Sequence, residues 1–246
     1  MRAPFRPSAA PAAFALFALF ALATLAASGC GTFDPPPIID DTLDGVPIND
    51  TPQNTMVRFE AAYERKVPVE YGKLLASNFR FTFSSQSDPT LVATYGSNWG
   101  KDDEIESTLH LFEGFTNDQG ERQNPAASIA LSLDGASFID DPARPDSGGF
   151  YKYVIVPSVS LTIEIGGTDP AIYEISAPHD FYLVRGDIAL LDPDQDAGAN
   201  RWYLYRWDDK SVALASAAPR LAALAPGQRP ARITWGHLKG SHVVAP

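Results

Sequence analysis

The chain has 246 residues, with 19 Lys or Arg against 30 Asp or Glu and a formal net charge of −11. Hydrophobic residues make up 45% and aromatics 11%, enough to bury a core, which excludes a wholly disordered chain. The acidic balance repels nucleic acid and anionic head groups, and the single cysteine, Cys30, excludes disulfide scaffolds and thiolate zinc sites.

Arg2 and Arg6 open the chain, and residues 14–27 (FALFALFALATLAA) are apolar and uncharged. As a helix this run spans about 21 Å. The hydrocarbon core of a bilayer is about 30 Å thick, so the run reads as a signal h-region rather than a permanent span. Small residues Ala27, Ser28 and Gly29 lead directly into Cys30.

Leu25-Ala26-Ala27-Ser28-Gly29-Cys30 resembles the bacterial lipobox, with Ala27 where leucine is commonest. The resemblance implies that residues 1–29 are removed and that Cys30 is lipidated, carrying acyl chains such as palmitate. It also implies a protein of the cell envelope, anchored through that cysteine. Gly31 follows, where an aspartate holds lipoproteins of enteric bacteria at the inner membrane, which implies the outer membrane, facing the periplasm. The alternative is an ordinary secretory signal cut near Ala27, with Cys30 a spare thiol. Loss of Arg2 and Arg6 leaves 17 basic against 30 acidic residues, so the membrane link is covalent rather than electrostatic.

Residues 30–50 are rich in Pro, Asp and Gly without helical period, and read as an acidic tether to a domain over 51–246. Thr51 and Pro52 signal a helix start, and Met56, Phe59 and Tyr63 share one face. A break at Lys66-Val67-Pro68 precedes a short helix with Tyr71, Leu74 and Leu75 on one side. Residues 78–84 alternate with Phe79, Phe81 and Phe83 facing one way, which predicts a half-buried strand. A loop with Asp88-Pro89 and Trp99-Gly100 follows. Asp102 or Asp103 then caps a third helix with Ile105, Leu109, Phe112 and Phe115 as its apolar face and Gly114 near its end.

Runs at 127–139, 150–165, 171–186, 200–207 and 230–238 are rich in Val, Ile, Tyr, Phe and Trp and predict strands. Pro157 and Pro178 predict bent or bulged strands, because proline donates no ladder hydrogen bond. Residues 211–228 are Ala-rich and read as an insertion with one weak helical turn.

Helices followed by a long antiparallel series predict an α+β fold with segregated elements. Residues 54–83, 99–115, 201–209 and 234–239 resemble the NTF2-like (SnoaL-like, cystatin-type) superfamily: paired helices with a first strand, a third helix, and two closing strands. The resemblance implies helices packed in the concave face of a strongly curved sheet, a cone with one open end. Residues 116–200 are longer than the minimal fold needs, which leaves the strand register open.

Some members of that superfamily resemble isomerases and dehydratases with an acid–base group inside the cone. The candidates here are His110, His179, Asp180 and Asp88. His179 and Asp180, being neighbours in a strand, point to opposite faces and do not form a pair. Asp88 before Pro89 reads as a turn, and no position matches a catalytic motif. Residues 192–198 carry Asp192, Asp194 and Asp196 in alternation, but Ala197 and Tyr203 stand where a calcium loop needs glycine and glutamate, so an acidic hairpin loop is expected. No cofactor or metal is expected.

Strict alternation over 202–207 puts Trp202, Leu204 and Arg206 on one face and Tyr203, Tyr205 and Trp207 on the other. With Trp99 and His179, residues Trp202, Tyr203, Tyr205 and Trp207 form the candidate pocket, and Trp235 is a further candidate for the cluster. Three functions stay open at this point: a tethered module binding a small apolar ligand or an envelope protein, an acid–base enzyme, and a structural envelope protein without ligand. A homodimer is compatible with each.

Overall fold

A computed structural model describes residues 43–117, 119–167, 170–212 and 230–243, all within one compact unit, Asp41–Pro246. Cys30 and the apolar run before it, and most of the Ala-rich segment, lie outside the described residues. No helix among the described residues is long and apolar enough to cross a membrane.

Helix α1 runs Pro52–Glu64, with Thr51 Oγ1 accepting from the Asn54 amide at 3.0 Å. Met56, Phe59 and Tyr63 are buried as the spacing predicts. Lys66, at φ 56°, breaks the chain before α2, Pro68–Lys73. Strand β1 begins at Leu75 and runs to Thr82, so Leu74 caps α2 and Leu75 belongs to the strand rather than to a second helix.

The expected loop holds two elements. Asp88 precedes a short helix α3, Pro89–Tyr95, and β2 runs Asn98–Gly100. Helix α4 is Lys101–Glu113, and its N-cap is Gly100 rather than Asp102 or Asp103. Asp103, at the third helical position, accepts from the Gly100 amide at 3.1 Å. Gly114 ends it at φ 73°, where an added Cβ would lie 2.6 Å from Gln123 O.

Strands β3 (Phe115–Thr116) and β4 (Arg122–Gln123) pair as a small ribbon. Then come β5 (Ala126–Ser132), β6 (Ser137–Asp140), β7 (Tyr151–Ile165), β8 (Ala171–Arg185) and β9 (Trp202–Asp209). The main sheet is mixed, in the order β2-β1-β9-β8-β7-β5 with β6 also on β7. β1 and β9 run parallel, and the β5–β7–β8–β9 series is antiparallel.

Two irregularities set which side chains point inward. Val156 pairs with His179 and Val159 with Ala177, so β7 carries one extra residue at Pro157-Ser158, and its buried positions switch from 154 and 156 to 159, 161 and 163. On β9, Tyr205 has no partner between Leu204 and Arg206. The bulge turns Trp207 onto the same side as Trp202 and Leu204, so Arg206 and Trp207 exchange the faces that strict alternation assigns them.

Residues 230–238 do not form the expected closing strand. Ala231–Arg232 make a two-residue strand, β10, parallel to β8, and Trp235–Gly240 form a helix, α5. Thr234 is its N-cap, its Oγ1 accepting from the His237 amide at 2.9 Å. Residues 43–50, read as tether, pack on the domain. Leu43 is buried, and Asn49 exchanges two hydrogen bonds with Trp202, at 2.8 and 2.9 Å.

Candidate functional site

The buried face of α4 is Glu104, Ser107, Thr108, Leu111 and Phe112. That set has the i, i+3, i+4, i+7, i+8 spacing of a core stripe, but its first turn is polar. Burying Glu104 without partners would be costly, and it has three. Trp99 Nε1 donates to Glu104 Oε2 at 3.0 Å, while the Tyr71 hydroxyl and the Lys239 ammonium both donate to Oε1. The partners come from β2, α2 and α5.

Lys239 is fully enclosed. Its ammonium lies 4.6 Å from the ring centre of Trp207, 5.1 Å from Phe81 and 5.9 Å from Trp235. Ser107 Oγ donates to the Lys239 carbonyl at 3.0 Å, fixing the end of α5 to α4. Burial holds the Lys239 ammonium below the usual lysine range, with Glu104 working against that. Burial also pushes the Tyr71 phenol well above its ordinary value, and the adjacent Glu104 adds to it.

A second polar group surrounds the first turn of α5. Asp209, at the end of β9, accepts from the Gly236 amide at 3.1 Å, and Asp88 accepts from Thr234 Oγ1 at 2.6 Å. Gly236 is required there, since a Cβ would sit 2.7 Å from Asp88 Oδ2. Burial raises the Asp88 carboxyl to about 6, against the pull of the Thr234 bond, and Asp209 adds to the rise. His179, paired across the ladder with Asp209, is fully buried. Trp207 Nε1 donates to His179 Nδ1 at 3.0 Å, so the proton of the neutral ring sits on Nε2. Burial depresses the imidazole to about 4.

Two polar atoms here, His179 Nε2 and Asp88 Oδ2, are buried without a hydrogen-bond partner, while Tyr63 Oη, Thr108 Oγ1 and Trp235 Nε1 have only one another and Tyr71. Tyr63 and His179 stand 5.4 and 5.6 Å from the Trp235 ring, and Asp88 faces Gly236. Buried polar groups are normally satisfied, so unsatisfied walls around one helix end are a local exception.

The candidate residues divide between the two faces of the sheet. Trp99, His179 and Trp207 belong to the interior around Glu104, with Trp235 4.7 Å from Trp207. Trp202 lies further along the same face. Tyr203 and Tyr205 lie on the opposite face, donating to Asp196 O at 2.6 Å and Asp141 Oδ2 at 3.0 Å. Arg144 stacks 4.0 Å over Tyr151 beside them. Asp180 is on that face too, 3.5 Å from Lys210. His110 stacks on Phe115 at 4.4 Å, and its Nδ1 meets His242 O at 2.7 Å.

In the 192–198 loop, Asp192 pairs with Lys101 at 2.5 Å and Asp196 with Arg201 at 2.9 Å. Among the described residues no group of three His, Cys, Asp or Glu side chains is placed to hold a metal ion.

Glu104, Lys239, Asp209 and Thr108 are not marked as site residues by the sequence, and Tyr71 is marked only as part of an apolar helix face. Glu104 looks like one of three acids at a helix start, and Lys239 like a surface charge after a strand. The available signal was the spacing of Glu104 and Thr108 with Leu111 and Phe112. As arranged, Glu104 is paired with an ammonium and the His179 lone pair is taken by Trp207, which leaves Asp88 Oδ2 as the unpartnered acceptor of the second group.

No protein-family model matches this chain, and no curated protein matches it significantly. Solved structures do. An NTF2-like superfamily protein from Salmonella enterica shares 9% identity over 67% of this chain and 90% of its own, with a TM-score of 0.40. An NTF2-like protein of unknown function in nutrient uptake from Rhodospirillum rubrum shares 14% identity over 65% of this chain and 96% of its own, at 0.37. A conserved protein from Planctomyces limnophilus shares 15% identity over 63% and 89%, at 0.36. Likenesses of this size establish neither ligand nor activity.

Proposed function

We propose that the chain is a lipid-anchored envelope protein, tethered through Cys30 at the periplasmic side of the outer membrane. Its NTF2-like domain serves as a binding module rather than an enzyme, and α5 closes the interior site. The order of the elements supports the domain reading: two helices, a strand, a long helix and an antiparallel series. One observation carries the functional reading. Lys239, from the six-residue helix α5, occupies Glu104, the carboxylate at the centre of the aromatic interior, so that this group is not free to act as a base.

Two measurements test this. In a Gram-negative host, wild type fractionates with membrane and carries a lipid mass that Cys30→Ala lacks. Soluble, unlipidated wild type overturns the anchor. Native-state hydrogen exchange of the full chain reads the gate. The amides of α5 exchange through an opening that leaves β7, β8 and β9 protected. If α5 exchanges only with global unfolding, it is a fixed core element and the closed-site reading fails.

A further inference from the structure

We propose that the interior around Glu104 is a binding site for a small organic ammonium, and that Lys239 occupies it in cis as a stand-in. The inference rests on the closed-site reading above and adds the chemistry of the ligand.

The carboxylate is placed without Lys239. Tyr71 from α2 and Trp99 from β2 hold both Glu104 oxygens, so the acceptor stays oriented when α5 leaves. The rings that face the ammonium come mostly from the body of the domain: Phe81 from β1 and Trp207 from β9, with Trp235 alone supplied by α5. One charged acceptor beside aromatic faces is the arrangement that recognises an ammonium, through a charge-assisted hydrogen bond and cation–π attraction. A neutral alcohol can donate one hydrogen bond to the carboxylate but brings neither a countercharge nor cation–π attraction, and a carboxylate would be repelled by Glu104.

One unsatisfied atom points the same way. His179 Nε2 is buried beside α5 without a hydrogen-bond partner, whereas the Tyr63 hydroxyl is met by Thr108 and by Trp235 of α5. A ligand with an acceptor distal to its ammonium would find in His179 Nε2 a donor that α5 leaves unused.

The test removes the stand-in and returns its chemistry. Lys239→Ala deletes three methylenes and the ammonium, which together are n-propylammonium. Thermal unfolding of the full-length variant is followed with n-propylammonium, n-propanol or propionate at equal concentration and ionic strength. The ammonium should raise the midpoint, binding at least about tenfold more tightly than the alcohol. Propionate should have no effect, and Lys239→Ala/Glu104→Gln should lose the response. Equal responses to ammonium and alcohol, or none to either, overturn the proposal. A variant that is unfolded alone but folds on adding the ammonium supports it.

Wild type gives a readout that needs no variant. Exchange of the α5 amides should quicken with n-propylammonium and stay unchanged with n-propanol, and no change with the ammonium counts against the site. An α5 that opens while the ammonium fails in both assays sinks only the ligand class. Rescue of Lys239→Ala with an α5 that never opens sinks the closed-site reading instead.

Discussion

Replacing Lys239 by Met keeps most of the side-chain volume and removes the charge, leaving Glu104 in the interior with Tyr71 and Trp99 but no cation. Removing one partner of a buried ion pair costs about 3–5 kcal/mol, because the remaining charge is uncompensated. At about 2–4 °C per kcal/mol for a domain of this size, the melting midpoint falls by roughly 6–20 °C. Glu104→Gln alone should cost a similar amount, since it leaves the ammonium among Phe81, Trp207 and Trp235. The double variant has no buried charge, and its carboxamide oxygen can still accept from Trp99 or Tyr71. It should lie within about 2 kcal/mol of wild type, giving a coupling energy of about 4 kcal/mol or more. Urea unfolding of the four chains, with tryptophan emission reporting whether Trp235 stays buried, measures the cycle. Single losses below about 1 kcal/mol that add in the double variant, with Trp235 still buried, would refute the pair as the lock of α5.

Acid titration separates two buried groups of opposite sign. The His179 imidazole falls from 6.5 to about 4 on folding, so the unfolded chain takes the proton first, and stability on the order of 3 kcal/mol is lost as pH drops from 6.5 toward 4. Asp88 rises from 3.8 to about 6 and acts the other way, gaining stability over much of that range. Denaturation curves should therefore show Asp88→Asn losing stability on acidification and His179→Gln gaining it; parallel curves would contradict both assignments. Gly114→Ala forces a Cβ against the Gln123 carbonyl at φ 73°, and chemical denaturation should show a loss of about 2 kcal/mol or more, with no loss expected if the turn relaxes freely. Glu64 and Glu60 of α1 accept from the Leu131 and Leu133 amides along the outer edge of β5, at 3.0 and 2.6 Å. Replacing both by Ala should expose that edge, detected as concentration-dependent self-association by light scattering; a strictly monomeric variant would show that the carboxylates do not guard it.

Where the chain follows simple periodicity, its structure was readable. Thr51-Pro52, the Met56-Phe59-Tyr63 stripe and the Phe79-Phe81-Phe83 alternation all stand where their spacing puts them. Three features broke the reading for identifiable reasons. The bulge at Tyr205 reverses the faces of Arg206 and Trp207, and nothing in the local alternation marks where an extra residue leaves the ladder. The stripe of α4 begins with a glutamate, so hydropathy moves the predicted face toward Ile105 and Leu109, which are only partly buried. The segment Ile233-Thr234-Trp235 has strand propensity, yet Thr234 caps a helix whose first turn sits against Asp88 and Asp209. Each error arose where tertiary contact outweighed local preference.

The same three places meet in the interior. Turning inward after the bulge, Trp207 gives its ring face to the Lys239 ammonium and its indole N–H to His179. The polar start of α4 supplies Glu104, and the failed strand supplies α5. An apolar core of the same volume would be as stable or more so, because desolvating two charges consumes most of what their attraction returns. Stability alone therefore gives no reason to bury Lys239 against Glu104. A pair of this kind favours one arrangement over its alternatives, and the alternative available here is α5 withdrawn. In that state Glu104 keeps Tyr71 and Trp99, whereas Lys239 has solvent to return to. The asymmetry assigns the carboxylate to the fixed part of the site and the ammonium to the part that can be exchanged.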